Sequence, residues 1–352
     1  MVAAILAHQV TISRKAFAMN ILRYSTLTVL CAFVVSCGKP GDTQEPKDAV
    51  RALSASEEAE LRSMAEGVFA VLPDVMPGHD GTTEAEIALG KSLYFDTRLS
   101  VNDKQSCNTC HNVSDGAAGV DNEITSEGAL GGRGKRNSPT VFNAGFHAMQ
   151  FWDGRAEDLV AQAKGPICNP AEMAMPSPAA VEAKLKNTKE YPALFAAAYP
   201  AEKAPLTFDN VAKAIAAFER TLIMNSRFDK WITGDTTALT MAERRGMHTF
   251  INTGCISCHN GALFGGNGLQ KLGNVQPYAS NDPGRFQVTN DPADSMMFKV
   301  PSLRLVSRTQ PYFHDGSVPT MTKAIELMGW HQLGKKLSSG EVAEIETFLK
   351  AL

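Results

Sequence analysis

The 352 residues carry a formal charge of −3 and are 44% hydrophobic and 20% charged. This acidic balance argues against nucleic acid as a partner, because phosphate backbones are held by clustered positive charge; it suits the steering of a small basic protein. Beyond the N-terminal segment, roughly 300 residues remain, enough for two domains.

Arg14, Lys15 and Arg23 are the only charged residues before Lys39, and the apolar run Leu27 to Val35 follows them. The run is too short to span a bilayer and has the length of a signal-peptide core. It ends Val34-Val35-Ser36-Cys37-Gly38, which resembles a bacterial lipobox. Residues 1–36 therefore read as an export signal and Cys37 as a lipidated anchor, which predicts a periplasmic, membrane-tethered protein. Met19 serves as well as Met1 as the start, since the preceding residues add little to the signal. Removing residues 1–36 deletes three positive charges and leaves a net charge near −6. Residues 37–54 are polar, rich in Gly, Pro and charge, and read as a flexible tether.

Helices are predicted from their caps. Thr83-x-x-Glu86, Thr240-x-x-Glu243 and Ser338-x-x-Glu341 are capping-box patterns ahead of apolar-periodic stretches. Val211, Ile215, Phe218 and Leu222 form a helical stripe. No alternating run is long enough for a substantial sheet, so the predicted class is mainly α with long loops. The chain also repeats itself. A helix with Gly90 to Phe95 leads to Cys107-Asn108-Thr109-Cys110-His111, and one with Gly246 to Ile251 leads to Cys255-Ile256-Ser257-Cys258-His259. Downstream, Pro139 precedes Phe151-Trp152-Asp153-Gly154, as Pro301 precedes Phe313-His314-Asp315-Gly316. The expected boundaries are 55–225 and 226–352.

Cys-x-x-Cys-His is the signature of c-type haem attachment. Two thiols add to the haem vinyl groups and the adjacent imidazole binds iron. A zinc knuckle has no need of a His directly after the second Cys, and a thioredoxin-like pair would sit near a βαβ pattern that is absent here. The cysteines are then accounted for. Cys31 leaves with the signal, Cys37 carries lipid, four form thioethers, and Cys168 is left as a small buried side chain. The chain is thus expected to form two cytochrome c-like domains, each around one covalent haem. The sixth iron position decides between electron transfer and reaction with a small oxidant. Composition leaves that choice open, with many Met residues and with His79, His147, His248, His314 and His331 unassigned.

The wider sequence resembles the bacterial dihaem cytochrome c peroxidases from about Leu89 to Leu349. The matching runs are Asn137-Ser138-Pro139-Thr140-Val141, Phe151 to Ala156, Gln162 to Pro166, Asn169-Pro170-x-Glu172-Met173 and Phe208 to Ala212. Further on they are Gly284-Arg285, Pro301 to Arg304, Pro311 to Gly316, and Met328 with Gln332-Leu333-Gly334. The resemblance implies a peroxidatic haem on Cys107, Cys110 and His111, and an electron-accepting haem on Cys255, Cys258 and His259 with Met328 as its sixth ligand. It implies that Glu172 is the acid–base carboxylate, that Gln162 and Phe151 line the same pocket, and that Trp152 stands between the haems. It implies calcium at Asn137 with the carbonyls of Thr309 and Pro311, hydrogen peroxide as substrate, and a small cytochrome c or cupredoxin as donor. A homodimer is compatible with it.

One position departs from the family. Many members hold a His in the loop after the first haem that caps the peroxidatic iron until the other haem is reduced. Here the loop reads Thr125-Ser126-Glu127-Gly128-Ala129-Leu130-Gly131-Gly132, with Ala129 at that place and no other His between His111 and His147. Alanine cannot ligate iron, so no reductive activation is expected. Gly128, Gly131, Gly132 and Gly134 predict a mobile loop. Two other readings remain open: a dihaem enzyme that oxidises a protein side chain, as in quinone-cofactor maturation, and a non-catalytic dihaem electron carrier. A Tyr in place of Met328 would suit the first. Strong sixth ligands on both irons would suit the second.

Overall fold

The computed structural model describes residues 54–352; the signal, Cys37 and the tether up to position 53 lie outside the described residues. Twelve helices occur among them in the order α1 (Ala55–Glu66), α2 (Glu84–Tyr94), α3 (Cys107–Cys110), α4 (Leu159–Cys168), α5 (Pro178–Lys186), α6 (Tyr191–Ala198), α7 (Phe208–Glu219), α8 (Arg227–Ile232), α9 (Met241–Thr253), α10 (Phe286–Thr289), α11 (Met321–Leu333) and α12 (Ser339–Leu349). Sheet among the described residues is one short antiparallel pair, β1 (Leu269–Lys271) and β2 (Met297–Lys299), with Leu269 opposite Lys299. The mainly α class is as expected, and no described helix is long and apolar enough to cross a membrane.

The predicted capping boxes form. At α2, Thr83 Oγ1 accepts from Glu86 N at 3.2 Å and Glu86 Oε2 accepts from Thr83 N at 3.0 Å. Thr240 with Glu243 and Ser338 with Glu341 do the same for α9 and α12. Each box satisfies two amide donors that a helix start leaves unpaired.

Two apolar cores follow from the repeat. In the first, α2 crosses α7, with Leu89, Leu93, Val211, Ile215 and Phe218 buried between them. In the second, α9 crosses α12 around Met247, Phe250, Ile345 and Phe348. Both crossings are set by a glycine at the same place in the repeat. A Cβ on Gly90 would lie 1.8 Å from the Ala214 carbonyl oxygen, and one on Gly246 2.0 Å from that of Glu344. No other side chain allows so close an approach. Phe151 and Phe313, also equivalent, both take left-handed backbone, with φ of 64° and 71°.

The first helix joins the later half of the chain. Leu61, Ala65 and Phe69 pack into the second core with Phe228, Phe264 and Phe348. Arg62 donates to the Trp231 carbonyl at 2.6 Å, and Arg244 pairs with Glu58 at 2.6 Å.

Candidate active site

The two Cys-x-x-Cys-His stations sit at the starts of loops, each fed by the helix that carries the crossing glycine. None of the four cysteines is in a disulfide. His111 Nδ1 lies 3.0 Å from the Pro139 carbonyl oxygen, and His259 Nδ1 lies 2.9 Å from that of Phe264. A carbonyl can only accept, so Nδ1 carries the proton and Nε2 keeps a free lone pair. Burial drives both imidazoles below their ordinary pKa, with the carbonyl bonds opposing in part, which favours the neutral form. A neutral ring with one nitrogen tied to a carbonyl is the arrangement an axial metal ligand requires.

The second station opens onto a largely apolar cavity. Its walls include Cys255, Cys258 and His259, the aliphatic residues Ile325 and Leu349, and Met328. Met328 projects from α11 into the same space as His259, so an imidazole and a thioether share one apolar chamber. These residues fit a haem with two axial protein ligands. A second pocket, lined by Asn108, Asn112, Asp121 and Arg308, is polar and includes neither His111 nor Glu172.

Around the first station the predicted residues converge. After α4 the chain folds back, with Glu172 N bonded to Asn169 O at 3.0 Å and Met173 N to Pro166 O at 3.2 Å. Asn169 Nδ2 donates to Glu172 Oε1 at 2.7 Å. Burial raises the Glu172 carboxyl above its usual range, and the Asn169 bond and the Arg155 charge oppose this only in part. The Arg155 guanidinium lies over the Phe151 ring at 3.4 Å, and that ring packs on Gly165 of α4. Gln162 lies one turn earlier on α4, half-buried. Glu172 is close enough to Cys110 for its charge to act on that sulfur.

The loop that carries Ala129 docks on the backbone of this turn. Ala129 N donates to the Glu172 carbonyl oxygen at 2.6 Å, and Asn102 Nδ2 donates to Ala129 O at 2.6 Å. Gln105 Nε2 holds Glu127 O at 2.6 Å, and Gly128 N bonds Gly132 O at 2.7 Å. Gly128 permits this docking, since a Cβ there would lie 2.2 Å from the Ala171 carbonyl oxygen, whereas a Cβ on Gly131 or Gly132 would meet open space.

A single stretch of chain separates the stations. The Pro139 carbonyl faces His111, while Asn137, Ser138, Pro139 and Thr140 also border the cavity of His259. Trp152 borders that cavity and its Nε1 donates to Asn137 O at 2.8 Å. Thr309 and Pro311 line the same cavity. The Asn137 amide group donates to the carbonyls of Glu123 and Ile124, which turns its oxygen the opposite way and leaves it available to a hard cation. No group of three or more His, Cys, Asp or Glu among the described residues could hold a metal ion, so a calcium site here would rely on amide and carbonyl oxygens.

Two buried groups had no signal in the sequence. Glu219, at the end of α7, is 5% exposed; burial pushes its carboxyl up to about 8, and its Oε2 has no partner. Lys299 is 4% exposed and burial pushes it down to about 7. Cys168, expected as a small buried side chain, is only partly buried and packs against the first core.

Residues 84–237 match the family model for di-haem cytochrome c peroxidase. The chain is 44% identical over 300 residues to cytochrome c551 peroxidase of Pseudomonas aeruginosa, covering 83% of this chain and 86% of that one. It is 44% identical over 291 residues to cytochrome c551 peroxidase of Nitrosomonas europaea, covering 81% and 86%. Among solved structures it resembles a MauG-like protein associated with microbial copper homeostasis, with a TM-score of 0.71 and 28% identity over 80% of this chain and 93% of that one. With paired Cys-x-x-Cys-His stations, neutral imidazoles tied to carbonyls and this likeness over most of its length, the chain belongs to the di-haem cytochrome c peroxidase family.

Proposed function

We propose that the protein is a dihaem c-type peroxidase that reduces hydrogen peroxide to water, with electrons supplied by a small cytochrome c or cupredoxin. Two covalent haems would supply the redox chemistry, held by Cys107, Cys110 and His111 and by Cys255, Cys258, His259 and Met328. The observation that carries the reading is the bond from Ala129 N to Glu172 O. This backbone bond holds a residue unable to bind iron against the residue whose carboxyl has a raised pKa, at the station where a sixth ligand would otherwise block peroxide. Glu172 takes a proton from the inner peroxide oxygen and returns it to the leaving oxygen. Phe151 and the stem of Arg155 limit water around it. Gln162 borders the same pocket. Trp152 and the stretch Asn137 to Thr140 form the contact between stations across which electrons pass.

In this reading residues 55–225 form the peroxidatic unit and residues 226–352 the electron-accepting unit, with α1 as a strap onto the latter. Asn137, Thr309 and Pro311 hold calcium between them. The protein is exported and tethered through Cys37, and no reductive activation is needed. The second reading, oxidation of a protein side chain, is favoured by Ala129 but opposed by Met328, which occupies the place a Tyr ligand would need.

The test is stopped-flow mixing of fully oxidised and half-reduced holoprotein with peroxide. Both forms are expected to react at similar rates, and Glu172→Gln is expected to keep both haems while slowing turnover about a hundredfold or more. Unchanged turnover in that variant removes the carboxyl from the mechanism.

A further inference from the structure

The cavity of His259 has a buried cation on its wall that lacks an anion. Lys299 closes β2, and its backbone N–H donates to the Trp152 carbonyl at 2.7 Å. Its Nζ lies 2.8 Å from His147 Nδ1. The one carboxylate whose charge acts on it, Asp153, is already paired with Arg136 at 2.5 Å and Arg155 at 3.1 Å. Arg304, on the same wall, is likewise committed, with both terminal nitrogens on Asp229 at 2.6 and 2.7 Å.

With Lys299 as the ammonium, which has three hydrogens and accepts nothing, His147 Nδ1 is the acceptor of their bond. The ring proton is then on Nε2, which is buried without a partner. The wall therefore presents two spare ammonium hydrogens and one ring N–H, all donors. Burial of a lone ammonium is costly unless an anion joins it. The burial that lowers the Lys299 pKa expresses the same cost.

We propose that Lys299 and His147 form a carboxylate clamp for a propionate of the haem attached at Cys255 and Cys258. The proposal rests on the two-haem reading. It adds a role for this chain's own residues: the clamp holds one haem edge and its charge favours the reduced state of that haem. Both side chains border the chamber that contains His259 and Met328, and the Lys299 backbone is bonded to that of Trp152, which borders the same chamber.

The experiment is spectroelectrochemical titration of the holoprotein with haem content counted in parallel. Lys299→Gln removes the charge and is expected to shift the reduction equilibrium of the C-terminal haem about tenfold towards the oxidised form, or about 59 mV. The N-terminal haem should stay within about twofold of wild type. His147→Phe keeps the charge and loses one donor, so a smaller shift in the same direction is expected; His147→Gln, which can both accept and donate, should stay near wild type. Haem loss confined to Cys255 and Cys258 in Lys299→Gln, restored in Lys299→Arg, also supports the clamp, and His147→Phe then carries the potential measurement. An unmoved C-terminal potential in both Lys299→Gln and His147→Phe with both haems bound, or equal shifts at both haems, overturns the clamp. A wild-type protein with fewer than two haems overturns the two-haem reading instead.

Discussion

Asn169 offers a test of Glu172 that leaves the carboxyl itself in place. Its Nδ2 donates to Glu172 Oε1 at 2.7 Å, and this bond is the larger of the two effects that hold the carboxyl down against burial. A hydrogen bond to a charged group contributes about 1.5–3 kcal/mol, and about 1.36 kcal/mol corresponds to one pKa unit. Asn169→Ala should therefore raise the Glu172 pKa further. The sign is fixed by the chemistry. If Glu172 first accepts a proton from peroxide, it must be ionised in the free enzyme, so kcat/KM rises with pH through its pKa. The acid limb of the profile, measured with reduced cytochrome c as donor, should move to higher pH by the same amount. Asn169 Oδ1 also accepts from Ala171 N at 3.0 Å and shapes the turn, so Asn169→Asp is the control. It keeps that acceptor, loses the donor and adds a like charge, and should move the limb at least as far in the same direction. A purely structural role would lower the plateau without moving the limb. An acid limb that stays put in both variants refutes the assignment of Glu172 as the base.

The oxidised holoprotein should give a high-spin ferric signal in electron paramagnetic resonance from the haem at His111, because Ala129 offers no ligand; low-spin signals from both haems would reject an open iron. Gly90→Ala and Gly246→Ala force a Cβ to within 1.8 and 2.0 Å of a facing carbonyl oxygen, so each should cost about 1–3 kcal/mol or more in chemical denaturation followed by circular dichroism; a neutral result would mean that the crossings are looser than described. Asp229→Asn leaves Arg304, 2% exposed, without its anion, and about 3–5 kcal/mol should be lost. In the wild type, burial alone would raise the Asp229 pKa, but the Arg304 and Ser226 bonds outweigh it and leave it lowered. That contribution is present above the ordinary aspartate pKa and is lost as pH falls through the lowered value, so acid unfolding of the variant should lack this component.

What the sequence discloses depends on how far apart the cooperating residues lie along the chain. Cys107 to His111 and Cys255 to His259 are legible because attachment needs five consecutive residues. Capping boxes are legible because their two bonds span three residues. Gly90 and Gly246 stand out only as members of a repeat; that they set helix crossings depends on the facing carbonyls of Ala214 and Glu344, which no local pattern identifies. The same limit explains the Ala129 loop. Its glycines read as freedom, yet Gly128 is small so that the loop can lie against Ala171 and lend an amide to Glu172. His147 illustrates it most sharply. Taken alone it is one spare histidine among five, and Lys299 is one lysine in a short strand. Only folding brings them to 2.8 Å across 152 positions, and only burial turns the pair into a demand for an anion. Sequence motifs thus specify where the haems are joined, while on the proposed reading the tuning of each iron would be set by long-range pairs, Ala129 with Glu172 at one station and Lys299 with His147 at the other. The N-terminal station combines an acid with a non-ligating loop, and the C-terminal station combines a thioether with a buried cation. On the proposed function the first arrangement would leave room for an oxidant and the second would favour stored electrons, so the proposed division of labour between near-equivalent halves rests on these two pairs.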